Sequence, residues 1–154
     1  MYICTVQIQN IHVENISFLE AKMNTMIEGT FTKIMYATPD FTATGIFIDV
    51  LNEMEPQYQN KLERVQLYHK LEQSILSNYV SFFDVRHKNP VYSITNSMQN
   101  ETCKIHHCTD ESASDLIMKI SGIWETAREY GIAFKIFNGN RVVVNPTASP
   151  SLSK

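Results

Sequence analysis

Leu116-Ile117-Met118-Lys119-Ile120-Ser121-Gly122-Ile123-Trp124 is joined through Glu125-Thr126-Ala127-Arg128-Glu129 to Tyr130-Gly131-Ile132-Ala133-Phe134-Lys135-Ile136-Phe137. Leu116, Met118 and Ile120 alternate with Ile117, Lys119 and Ser121, and Ile132, Phe134 and Ile136 alternate with Ala133, Lys135 and Phe137. A period of two sends successive side chains to opposite faces of a strand, so the two stretches predict a β-hairpin with a polar tip. Lys119 and Trp124 have opposite parity, and they share a face only if Gly122 introduces a bulge. Downstream, Asn138-Gly139-Asn140 predicts a turn into Arg141–Val144 as a final edge strand, followed by a disordered tail over 147–154.

Upstream of the hairpin the signals change in type. Tyr2–Gln9 alternates and is read as a first strand, and Phe18–Ile27 as a short helix opened by Ser17 with Glu20 three residues on. Phe31–Thr38 and Phe41–Val50, rich in β-branched and aromatic residues and split by Pro39-Asp40, predict a second hairpin. From Pro56 to Phe83 apolar residues recur at three and four (Leu62, Val65, Tyr68, Leu71, Ile75, Tyr79, Phe83), which predicts one long amphipathic helix closed before Asn89-Pro90. Val91–Asp115 is polar and reads as an insertion or long loop, apart from a short strand at Val91–Thr95. The expected fold is mainly β with one long helix (α+β). Its order βββ-α-ββ matches an OB-like five-stranded barrel, a single domain over 1–146 with a polar insertion before the last hairpin.

Composition bounds the function. With 154 residues, 44% of them hydrophobic, the chain can bury one ordinary core. No stretch approaches the roughly 20 apolar residues of a membrane span, so no membrane partner is expected. Three cysteines, an odd number, argue against a disulfide framework and for an intracellular setting. A formal charge of −3 argues against coating nucleic acid by bulk electrostatics, so any such role must rest on local charge. There is no Gly-rich phosphate loop, nucleophile elbow, HExxH or paired Asp motif, so no enzymatic activity and no cofactor are expected.

Local charge does exist. Phe31, Lys33, Tyr36, Phe41, Phe47, Lys119, Trp124, Arg128, Tyr130, Phe134, Lys135, Phe137 and Arg141 fall in or beside the predicted strands. Aromatic platforms flanked by cations are what sequence-tolerant binding of single strands uses. The candidate nucleic-acid-binding residues are Lys33, Tyr36, Lys119, Trp124, Arg128, Tyr130, Lys135 and Arg141. The competing reading puts many of the aromatics, Phe134 first, in the core, as is usual for large apolar side chains. Cys103, His106, His107 and Cys108 are metal-ligand types in one loop, but adjacent histidines and the lack of a second separated pair make a poor zinc pattern, and no metal site is assigned.

Met118-Lys119-Ile120-Ser121-Gly122-Ile123-Trp124-Glu125 with Tyr130-Gly131-Ile132-Ala133-Phe134-Lys135-Ile136 resembles the closing hairpin of small OB-fold-like single-stranded DNA-binding proteins of nucleocytoplasmic large DNA viruses. Phe31-Thr32-Lys33-Ile34-Met35-Tyr36 and Gly45-Ile46-Phe47-Ile48 are similar to the same group, and the matched residues cover about a sixth of the chain. The resemblance implies that Lys33, Lys119, Trp124, Tyr130 and Lys135 lie where such a domain faces DNA. It implies a non-catalytic protein of viral replication, recombination or repair in the host cytoplasm or nucleus, with single-stranded DNA, or RNA, as partner. The rival expectation is a protein-interaction or structural module, an oligomeric virion component in which the aromatics form a protein interface.

Overall fold

The computed structural model describes residues 2–24, 28–50, 61–100, 105–106 and 115–143. In chain order these form β1 (Tyr2–Thr5), β2 (Ile16–Phe18), β3 (Lys22–Asn24), β4 (Gly29–Ala37), β5 (Thr42–Thr44), β6 (Ile46–Asp49), α1 (Lys61–Phe82), β7 (Asn89–Val91), α2 (Ser93–Gln99), β8 (Ile105–His106), β9 (Asp115–Glu125) and β10 (Glu129–Val143). The sheet runs β1-β10-β9-β4-β2, with the shorter strands paired to its members. It is a mixed, curled half-barrel, so the α+β class is as expected.

The hairpin forms as its alternation requires: β9 and β10 pair antiparallel from Tyr130 opposite Glu125 to Gly139 opposite Asp115. Their core-facing row is Met118, Ile120 and Ile123 against Ile136, Phe134 and Ile132. Beyond it β10 does not turn at Asn138-Gly139-Asn140. Asn138 and Gly139 stay in register with β9, and Asn140–Val143 pair in parallel with β1, so ladder partners override the local turn preference. Arg141 therefore belongs to a long central strand and not to a separate edge strand.

Four other expectations are corrected. Phe18–Ile27 is not a helix where it is described: β2 and β3 pair antiparallel with β4, and pairing prevails where the apolar residues showed no helical period. The first strand ends at Thr5, and Ile8 buries itself from a 3-10 turn over Ile8–Asn10. The second hairpin exists as β4 with β5, but the chain bends at Gly45, whose φ of 99° suits glycine, and β6 crosses to pair with β9. The polar stretch after Val91 contains α2, which buries Ile94 and Thr95. Seven residues are too few to display a helical period in the sequence.

Helix α1 covers one face of the sheet. Its buried Tyr68, Leu71, Ile75, Leu76 and Tyr79 join Ile34, Tyr36, Ile46 and Ile48 and the core row of the hairpin in one cluster. Each large apolar side chain so buried contributes about 1.5–3 kcal/mol. The amide of Val6 donates to the carbonyl of Phe47 at 2.8 Å, bringing the chain after β1 alongside β6 and curling the sheet further. The opposite face of β4, β6, β9 and β10 is left to the odd positions of β4, β6 and β10, and it carries the charge.

Candidate nucleic-acid interface

The geometry of this face depends on one irregularity. Along β9, Ile120 pairs with Phe134 while Gly122 pairs with Ala133, so Ser121 is an extra residue opposite the junction of two consecutive β10 residues. This is a β-bulge one position before the glycine at which the sequence demanded it. It shifts the alternation, so that core side chains fall at 118, 120 and 123. Lys119 and Trp124 consequently share the face turned away from α1.

Around them the register assembles a basic and aromatic surface. Lys119 sits directly between Phe47 of β6 and Lys135 of β10, and Lys33 of β4 lies opposite Gly122. Lys33 and Lys135 are exposed and Lys119 is half-buried. Burial holds the Lys119 ammonium below the usual lysine value, and the charges of Lys135 and Lys33 push it further the same way. Three mutually repelling cations on adjacent strands are an arrangement that a bound anion relieves. Among the outward positions of these strands whose side chains are described, the acids are Asp49, which is 5% exposed, and Glu129, which is exposed at the hairpin tip six residues along β10 from Lys135.

The aromatic rings are organised at two levels. The Phe47 and Phe137 rings meet edge to face at 6.5 Å, with the Lys119 ammonium over Phe47 at 5.5 Å and the Lys135 ammonium over Phe137 at 5.6 Å. Further along, Phe31 is the register partner of Trp124, and both rings are seated on glycines. A Cβ on Gly122 would come within 2.9 Å of the Phe31 ring, and one on Gly131 within 2.7 Å of the Trp124 indole. The two aromatic groups are spaced along β10 by the six residues from Gly131 to Phe137, about 20 Å of strand. Phe31 and Trp124 are each half-buried.

Of the eight sequence candidates, Lys33, Lys119, Trp124 and Lys135 come together here. Tyr36 lies on the other face, 1% exposed, its hydroxyl accepting from the His12 amide at 3.1 Å and donating to the Asn10 carbonyl at 3.4 Å. Tyr130 is 6% exposed and stacks near Tyr79, and burial followed by Tyr92 raises its phenol above the ordinary value. Both are core residues for the reason that applies to most large aromatics. Arg128 is exposed at the hairpin tip, seven residues from Lys135 and apart from the cluster. Arg141 lies opposite Ile3 of β1 at the far end of β10. Gly122 and Gly131 were not anticipated as ring seats, because that role shows only once the cross-strand register is known.

Cys103, His107 and Cys108 lie outside the described residues, as does the 147–154 tail. Among the described residues no cluster of His, Cys, Asp or Glu has the make-up of a metal site, and no helix is long and apolar enough to cross a membrane. Comparison with models of known families, with curated proteins and with solved structures gave no match to this chain.

Proposed function

We propose that the protein binds single-stranded nucleic acid, without catalysis, on the outward face of β4, β6, β9 and β10. The observation that carries this reading is the bulge at Ser121, which brings Lys33, Lys119 and Lys135 onto the same face as the glycine-seated Phe31 and Trp124. Phosphates meet the lysine row while bases stack on the rings, and stacking contributes about 1–3 kcal/mol per base. A local cation cluster does this in a chain of net charge −3 because, of the described outward acids on these strands, Asp49 is buried and Glu129 sits at the hairpin tip, six residues from Lys135. The curled sheet with α1 against one face is compatible with an OB-like barrel, which we retain as part of the proposal. Placement in the replication, recombination or repair of a large DNA virus rests on the resemblance of the two hairpins alone.

The test is a titration of the full chain with a fluorescent oligonucleotide, single-stranded and duplex in parallel, at low and moderate salt. The expected result is preferential single-strand binding with quenching of the lone tryptophan. Lys119→Ala with Trp124→Ala should weaken it about tenfold or more. Absence of binding at low salt, or binding indifferent to the double substitution, overturns the reading. The face would then be a protein interface.

A further inference from the structure

The two aromatic groups on the outward face are built differently. The Phe47 and Phe137 rings meet edge to face, and each already has a cation against it, the Lys119 ammonium 5.5 Å from the Phe47 centroid and that of Lys135 5.6 Å from the Phe137 centroid. Ile117, the register partner of Phe137, points to the same side and is fully buried, although it is not part of the cluster under α1. That end of the face is therefore packed. The ring quadrupole attracts an ammonium, and a base could take its place only by displacing it. Phe31 and Trp124 differ on each point. Among the described residues no cation and no second ring stands over either of them. Their rings lie instead over Gly122 and Gly131, which have no side chain to hold a ring off the sheet. A ring laid down on a glycine turns its other face away from the backbone, the posture of a stacking platform.

We infer that the face is bipartite: Phe31 and Trp124 take bases, whereas Phe47 and Phe137 take none and act as positioning residues that hold Lys119 and Lys135 for the phosphates. This rests on the proposed single-strand binding and states which part of the strand each end meets. The two ends lie about 20 Å apart along β10, so different nucleotides occupy them. At the Phe31–Trp124 end the ligand is the base. At the Phe47–Phe137 end it is the bare phosphate backbone, for which a strand stripped of its bases is a sufficient ligand. The rings serve that end by pre-organisation, because a lysine already held in place loses less side-chain freedom when it meets a phosphate than one that is free to move.

The experiment titrates the full chain at low salt with two fluorescent ligands of equal length, oligothymidine and the same backbone without bases. The native chain should prefer oligothymidine about tenfold or more. Phe31→Leu with Trp124→Leu should bring that preference close to unity. Phe47→Leu with Phe137→Leu should weaken both ligands by the same factor, about fivefold, and so preserve the preference. Phe47→Tyr with Phe137→Tyr, which restores the ring faces, should recover most of that loss, and circular dichroism checks that each variant folds. The inference is overturned if leucine at 47 and 137 lowers the preference, since these rings would then be stacking bases. It is equally overturned if leucine there costs nothing, if tyrosine recovers no more than leucine, if the preference survives without Phe31 and Trp124, or if the native chain does not hold the base-free strand. A native chain that binds neither ligand overturns the single-strand reading and this inference with it. Every other failure leaves that reading standing.

Discussion

Glu125 holds the end of the hairpin to the helical layer. Its Oε2 accepts from the Tyr79 hydroxyl at 2.7 Å, and Oε1 pairs with the Lys88 ammonium. Burial by itself would raise the carboxyl's pKa. The hydrogen bonds from Lys88 and Tyr79 and the charges of Lys88 and His87 outweigh it, so the net shift is downward from 4.5. Burial, and then Glu125 itself, raises the Tyr79 phenol, which stays protonated as the donor. A depressed carboxyl contributes stability that is fully present above its unfolded value and is lost as pH falls through the folded one. Glu125→Gln should therefore destabilise the protein by about 2 kcal/mol at neutral pH. Urea denaturation followed down to acid pH should show the native and variant midpoints converging below the usual glutamate range.

At the scale of elements, α2 is tied to α1 by one buried carboxylate. Glu72 is fully buried and accepts the amides of Ile94 and Thr95 at 2.9 and 3.0 Å, and the Thr95 hydroxyl at 2.8 Å. The same hydroxyl meets His69 Nδ1 at 3.2 Å. No residue at the start of α2 supplies a side-chain cap, so Glu72 satisfies amides that would otherwise be buried without partners. Glu72→Ala should cost about 3 kcal/mol. Hydrogen exchange should speed up in 93–99 before it does in β9 and β10. This also explains what was legible beforehand. The β9–β10 hairpin and α1 each carry enough repeats of their own period to identify themselves. α2 does not, since its stability comes from a side chain 22 residues away. β2 and β3 were misread for the same reason, their conformation being set by β4.

For the whole molecule, the outward face was only half visible in the sequence. Lys33, Lys119, Trp124 and Lys135 were identified by type, the parity argument bearing on Lys119 and Trp124 alone, whereas Tyr36 and Tyr130, also drawn in by type, belong to the core. Which aromatics remain at the surface depends on which face α1 covers, and no local pattern states that. The face now makes a quantitative expectation. If its three lysines each neutralise one phosphate, the logarithm of the single-strand association constant should fall with the logarithm of salt concentration with a slope of about −2. Equilibrium titrations at four or five salt concentrations measure it. A slope near zero would leave the lysine row without a role in binding, and a much steeper one would require cations beyond this row.

Ser121 gives the hairpin an uneven tolerance to change. Substitution there alters one side chain, but removing the residue would set β9 back into strict two-residue phase. With Ile120 joined to Gly122, Lys119 and Trp124 would stand four residues apart and still share the outward face, and each half of β9 would keep its pairing with β10 while the bulge and its bend are lost. Codon loss at this point is thus milder than the loss of a residue elsewhere in β9, which would keep the bulge and turn one side of the strand over. Among divergent versions of this chain, the segment from Lys119 to Trp124 should therefore occur in two lengths, with the bulge residue or without it.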